Sequence, residues 1–136
     1  MPLPRVFISF DYDNNSEQKL YFAGQAKNSR TPFNIADWSS KESLPQKQWE
    51  QLIHDKINCC NLLIVLVGKK TASAIGVTKE IAFAKEQNVP IFGVYVDGAG
   101  ILTTLPNGLP RNRVTDWKWD NIASAIDQLM KEGKNK

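Results

Sequence analysis

A chain of 136 residues, 42% of them hydrophobic, has interior enough for one domain over residues 1–136 and too little for two. Seventeen Lys and Arg against fourteen Asp and Glu leave a formal net charge of +3, dispersed along the sequence, which argues against a nucleic-acid surface. No apolar run approaches the roughly 20 residues that span a bilayer, and the first five residues lack the apolar core of a secretory signal, so no membrane partner and a cytoplasmic location are expected.

The first element is Val6-Phe7-Ile8-Ser9-Phe10, short and rich in β-formers, followed by the polar loop Asp11-Tyr12-Asp13-Asn14-Asn15. A helix is predicted over residues 16–28 and a second short strand at Phe33-Asn34-Ile35-Ala36. The polar stretch Asp37-Trp38-Ser39-Ser40-Lys41-Glu42 reads as a loop. It leads into a helix signalled by Ser43, with Gln46 three residues on and Pro45 in the first turn. Trp49, Leu52, Ile53 and Ile57 form the apolar stripe of that helix.

Leu62-Leu63-Ile64-Val65-Leu66-Val67 is a continuous apolar run, the pattern of a central strand buried on both faces of a parallel sheet. After Gly68-Lys69-Lys70-Thr71 a third helix is predicted over residues 73–87, and a fourth strand over residues 90–96. Residues 97–113 carry Gly and Pro and little regular pattern, and read as a lid or a surface excursion; Val114-Thr115 is a stub of a fifth strand. Trp119, Ile122, Ile126, Leu129 and Met130 mark a closing amphipathic helix with Gly133 at its end.

Alternating strands and helices imply right-handed crossovers and a flavodoxin-like three-layer α/β fold, with a five-stranded parallel sheet of order 2-1-3-4-5 and helices on both faces. The chain direction reverses between the first and third strands, so a ligand is expected outside their carboxyl ends, between residues 11–15 and residues 68–73. The acidic, aromatic first loop opposes a flavin phosphate, which needs Gly, Ser and Thr there. A phospho-accepting receiver needs an aspartate ending the third strand, and that strand ends in Val67-Gly68-Lys69. No metal site and no cofactor are expected: phosphate-loop, dinucleotide and zinc motifs are missing, and the adjacent Cys59 and Cys60 read as buried thiols at a helix end. The single histidine, His54, reads as a surface or satisfied side chain.

In the third helix Val77, Ile81 and Ala84 form the buried stripe, and Glu80 stands three residues after one and four before another. Helix glutamates are ordinarily solvated or ion-paired, while this one borders the core beside the switch crevice.

These residues resemble the TIR superfamily, in particular the bacterial TIR-like proteins of Thoeris anti-phage systems, of the ThsB type. The likeness rests on Arg5-Val6-Phe7-Ile8-Ser9-Phe10, on Asp37-Trp38-Ser39, on residues 60–68 followed by Thr71, on residues 77–84, and on Pro90-Ile91-Phe92-Gly93-Val94. It covers residues 5–96 and weakens beyond. The resemblance implies consumption of NAD⁺ as substrate, with Glu80 as the catalytic glutamate engaging the ribose next to the nicotinamide. It further implies an ADP-ribose-derived messenger acting on a separate effector, and self-association through TIR surfaces. Phe10 and Tyr12 are expected to flank a ring of the substrate and Asp11 to hold a polar group, with Asp37, Trp38 and Ser73 as further substrate-binding positions. The bland readings beside these are a core-edge aromatic for Phe10 and a loop residue for Asp11.

One departure from the family is Gly76, four residues before Glu80, where a tryptophan is common. The missing ring would widen the pocket or loosen the helix's anchoring. Trp49 reads as core, and Trp38 as either packing or contact with substrate or partner. Three functions follow: an NAD⁺-processing signalling enzyme, a non-catalytic interaction module, and a nucleotide sensor without turnover.

Overall fold

The computed structural model describes residues 3–28, 33–39 and 44–133. Five strands, β1 (Arg5–Ser9), β2 (Asn34–Trp38), β3 (Leu62–Val67), β4 (Ile91–Tyr95) and β5 (Val114–Thr115), form one sheet in the order β2-β1-β3-β4-β5. Every pairing is parallel. Four helices cover it: α1 (Tyr12–Asn28), α2 (Gln46–Asn58), α3 (Ile75–Glu86) and α4 (Trp119–Glu132).

The sheet's alternation divides the interior in two. Leu63, Val65 and Val67 of β3 pack with Phe7, Ile53, Ile57, Val77 and Ile81 on the α2/α3 side. Leu62, Ile64 and Leu66 pack with Phe22, Ile122, Ile126 and Leu129 on the α1/α4 side. All six residues of β3 are buried, which is why its sequence is a run and not an alternation. Ser9 shares the parity of Phe7 and therefore points to the α2/α3 side, at the carboxyl end of β1.

Several boundaries differ from the sequence reading, each for a local reason. The helix expected from residue 16 begins at Tyr12, because Asp11 caps it: Oδ1 accepts the Asp13 N–H at 3.2 Å, and the Asp11 carbonyl accepts the Asn15 N–H at 2.7 Å. Asn15 leaves helical geometry (φ −127°, ψ 18°) and kinks this first turn. Asp37 and Trp38 end β2 and do not open a loop. As an edge strand with half-exposed residues, β2 lacks the apolar signature by which strands are recognised.

The register of β2 against β1 slips between Val6 and Phe7, which pair with Ile35 and Asp37 respectively, leaving Ala36 as the extra residue of a bulge. Pro45 is the N-cap residue of α2 and not part of its first turn; the expected cap Ser43 lies outside the described residues. A 3₁₀ turn (Thr71–Ser73) precedes α3, which starts at Ile75. At the end of α2, Cys60 is buried as expected but Cys59 is exposed, and Met130 of α4 lies on the solvent side.

The loops after β1 and β3 are bound together at the switch point. Gly68 donates its N–H to Thr71 Oγ1 at 2.7 Å, and the Thr71 hydroxyl reaches Asn15 Oδ1 at 3.3 Å. A Cβ at Gly68 would stand 2.5 Å from Asn15 Oδ1, so only glycine admits this approach. Gly68→Ala is therefore expected to destabilise the fold by about 1–3 kcal/mol in denaturant unfolding. Gly24→Ala, in α1 with nothing within 4 Å of the added carbon, should stabilise it by about 0.5–1 kcal/mol in the same measurement.

Candidate functional site

At the carboxyl ends of β1 and β3 the surface opens into a cleft of about 910 Å³, within the range of small-molecule sites. One wall comes from the β1–α1 connection (Phe10, Asp11, Tyr12), the other from the 3₁₀ turn and the start of α3 (Ser73 to Val77), with Glu80 at the base and Trp49 of α2 at the side. The cleft thus lies outside the carboxyl ends of β1 and β3, where the chain direction reverses.

Glu80 is the chemically unusual group. It is only 1% exposed, and among the described residues it has no cationic partner within ion-pair distance, so it is neither solvated nor ion-paired as helix glutamates ordinarily are. Two hydroxyls donate to the same oxygen: Ser9 Oγ at 2.7 Å and Ser39 Oγ at 2.5 Å, both to Oε1. Oε2 is buried with no hydrogen-bond partner. Ser39 is held in turn, its Oγ accepting the Phe10 N–H at 3.0 Å while its own N–H donates to the Ile8 carbonyl at 2.9 Å. Burial raises the Glu80 pKa to about 7, outweighing the two serine hydrogen bonds, which lower it. The carboxyl therefore changes charge near neutrality, with one of its oxygens left without a hydrogen-bond partner.

Ser9 and Ser39 were not singled out in the sequence. Ser9 left a signal, since it is the polar residue on the α2/α3 face of an otherwise apolar strand. Ser39 left none, because it reaches Glu80 only through the β2 bulge and the pairing of β1 with β2.

The expected substrate-binding residues separate into two groups. Phe10, Asp11, Tyr12 and Ser73 line the cleft; Asp37 and Trp38 do not. Phe10 and Tyr12 stack on one another with ring centroids 5.9 Å apart at 26°. Asp11 is engaged locally, accepting the Asp13 N–H at Oδ1 and the Asn14 side-chain amide at Oδ2 (2.6 Å), so its carboxylate serves the helix start. Asp37 faces Lys56 Nζ at 3.5 Å, and Trp38, 42% exposed, lies under Lys19 Nζ at 3.7 Å from its ring centroid. Both belong to the sheet edge. His54 also lies outside the cleft, beside Glu86 at 3.6 Å and against Phe83.

No group of three or more His, Cys, Asp or Glu among the described residues is arranged to hold a metal ion, and no described helix is long and apolar enough to cross a membrane. The family model described as "Thoeris protein ThsB, TIR-like domain" matches residues 7–100, a span that contains every cleft residue named above. Among solved structures, the crystal structure of a prokaryotic SEFIR domain resembles this chain with a TM-score of 0.54 at 15% identity, covering 94% of this chain and 90% of that one, a likeness of fold. No curated protein matches the chain.

The raised Glu80 pKa has a consequence for stability. An acid with an ordinary pKa of 4.5 when unfolded and about 7 when folded binds more protons in the native state between those values. Its stabilising contribution is complete below pH 4.5 and is lost as pH rises through about 7. Glu80→Gln, which keeps the shape and abolishes the charge, should raise the thermal midpoint at pH 8 by about 5 °C or more and at pH 5 by much less. An equal shift at both pH values would contradict this account.

Proposed function

Since the chain belongs to the Thoeris ThsB TIR-like family, and with it to an anti-phage role, we propose that it cleaves NAD⁺ and releases nicotinamide. The observation that carries the reading is a desolvated carboxyl with one unpartnered oxygen at the base of a cleft large enough for a dinucleotide. The bond between ribose C1′ and the pyridinium nitrogen breaks, its electron pair leaves with nicotinamide as the neutral base, and positive charge develops on the ribose. An ionised Glu80 beside that ribose stabilises the charge, and because the carboxylate is buried and already oriented by Ser9 and Ser39, little reorganisation is needed.

The Phe10–Tyr12 pair offers a platform for a ring of the dinucleotide. A hydroxyl of water or of the ADP-ribosyl group then attacks C1′, forming the new C–O bond and giving up its proton to solvent. The product is an ADP-ribose-derived messenger for a separate effector, and copies of the chain associate through their TIR surfaces.

The test is to incubate purified protein with NAD⁺, with and without extract of phage-infected cells, and to follow nicotinamide release. Glu80→Gln should lose at least about 100-fold in rate; undiminished release by that variant removes Glu80 from the chemistry. For the wild type kcat/KM should rise with pH and level off above about 7, following ionisation of Glu80. Ser39→Ala removes a donor that favours the charged form, so the rising limb should move to higher pH, by roughly one unit.

A further inference from the structure

The connection from β4 to β5 is a surface excursion and not a lid: none of residues 97–113 lines the cleft, and Ala99, Leu105 and Leu109 pack onto the α2/α3 cluster. Its tip is a braced turn. Thr103 donates its N–H to the Gly100 carbonyl at 2.9 Å, and its Oγ1 accepts the Gly100 N–H at 2.9 Å. Arg111 ties the turn to the sheet, donating to the Thr103 carbonyl at 2.6 Å and to the Tyr95 hydroxyl at 3.0 Å. The two residues this turn carries into solvent are aliphatic. Ile101 is 75% exposed and Leu102 96%, the highest values among the described large hydrophobic residues. Single exposed leucines are ordinary, but an adjacent pair on a fixed turn takes no part in the core and has already lost the chain freedom that docking would remove.

At the other end of β4 lies a second cavity, of about 290 Å³. Val89, Pro90, Ile91 and Pro110 give it apolar walls, and the Arg113–Glu132 ion pair, at 2.7 Å, also lines it. Since roughly 150 Å³ admits a benzene ring, this volume admits two branched aliphatic side chains. The chain's own tip does not fill it. Ile101 and Leu102 stand in solvent, and Arg111 ties their turn to Tyr95, while the cavity opens around Ile91, about 13 Å away along the strand.

We infer that the Ile101–Leu102 tip of one copy seats in the cavity at the amino end of β4 of the next. The inference gives a surface to the self-association proposed above and rests on that reading. The charges agree: Asp97, exposed at the base of the excursion, and Lys85, exposed at the cavity, form no ion pair with a described residue, so each is open to the other across the contact. Because the two surfaces differ, each docked copy leaves a free tip at one end and a free cavity at the other, and assembly runs head to tail beyond the dimer.

Sedimentation velocity of the full chain over a range of concentrations tests this. The wild type should form species larger than a dimer. Leu102→Asp removes the tip, and Pro110→Trp covers the cavity from an exposed position; each should weaken association at least about 30-fold while the thermal midpoint stays near that of the wild type. Mixed together, these two variants should form a dimer and nothing larger, since one keeps only its cavity and the other only its tip. Asp97→Lys and Lys85→Glu should each weaken association about three- to fivefold, and the double variant should recover most of the loss. A wild type that stops at a dimer, variants that assemble as the wild type does, or a mixture that stays monomeric overturns this contact and leaves self-association through another surface standing. A wild type that is monomeric at every concentration overturns both, and the NAD⁺ reading is decided separately by nicotinamide release.

Discussion

The structure depends on β3. Six consecutive side chains without a polar atom, buried on both faces, can be accommodated only if a full layer of helices lies on each side of the sheet. That requirement explains the two hydrophobic clusters, the parallel crossovers, and the placement of β1 and β4 as its immediate neighbours. It also creates the cleft. Where a doubly covered sheet sends the connection after one strand to one layer and that after its neighbour to the other, a gap opens outside the carboxyl ends of the two strands, here β1 and β3, and no element of the core fills it.

Into that gap the fold directs a carboxyl it would be more stable without. Burying Glu80 with one oxygen satisfied and the other bare is costly, and a glutamine or a hydrophobic residue would spare the cost. Residues that destabilise a fold and gather remote partners around themselves belong characteristically to working sites. The serines that steady Glu80 come from positions 71 and 41 residues away in the chain, one on a strand end and one beyond a bulge. Asp11, by contrast, has local partners for both its oxygens and gains helix stability in return. Two acidic residues on one cleft thus have different physical meanings, decided by which of their atoms are already spoken for.

The fold could be read from the sequence because its signals are periodic: the apolar run of β3, the stripes of α2, α3 and α4, and the turn residues between them. The elements that misread are the ones whose stability is borrowed. The first turn of α1 is polar throughout and exists because Asp11 caps it, and the end of β2 is polar because an edge strand has only one neighbour. Glu80 was recognisable by position and by resemblance, but its burial was not, since helical spacing alone leaves a residue at the margin of a stripe either wet or dry. Trp49 was recognisable as core. That its ring reaches α3 at Gly76 is a property of how two helices pack, and nothing in either segment alone records it.

Ser39 joins the backbone of β1 to the carboxyl of α3 through a single hydroxyl, accepting from the Phe10 N–H and donating to Glu80 Oε1. The hydroxyl has one proton, so it supports the charged form of Glu80 only while Ser39 stays seated against β1. Proton affinity at the base of the cleft and the seating of the chain at the end of β2 are therefore linked quantities. Whatever unseats Ser39 makes Glu80 hold its proton more tightly, and whatever ionises Glu80 pulls Ser39 home by the same free energy, since such coupling is reciprocal.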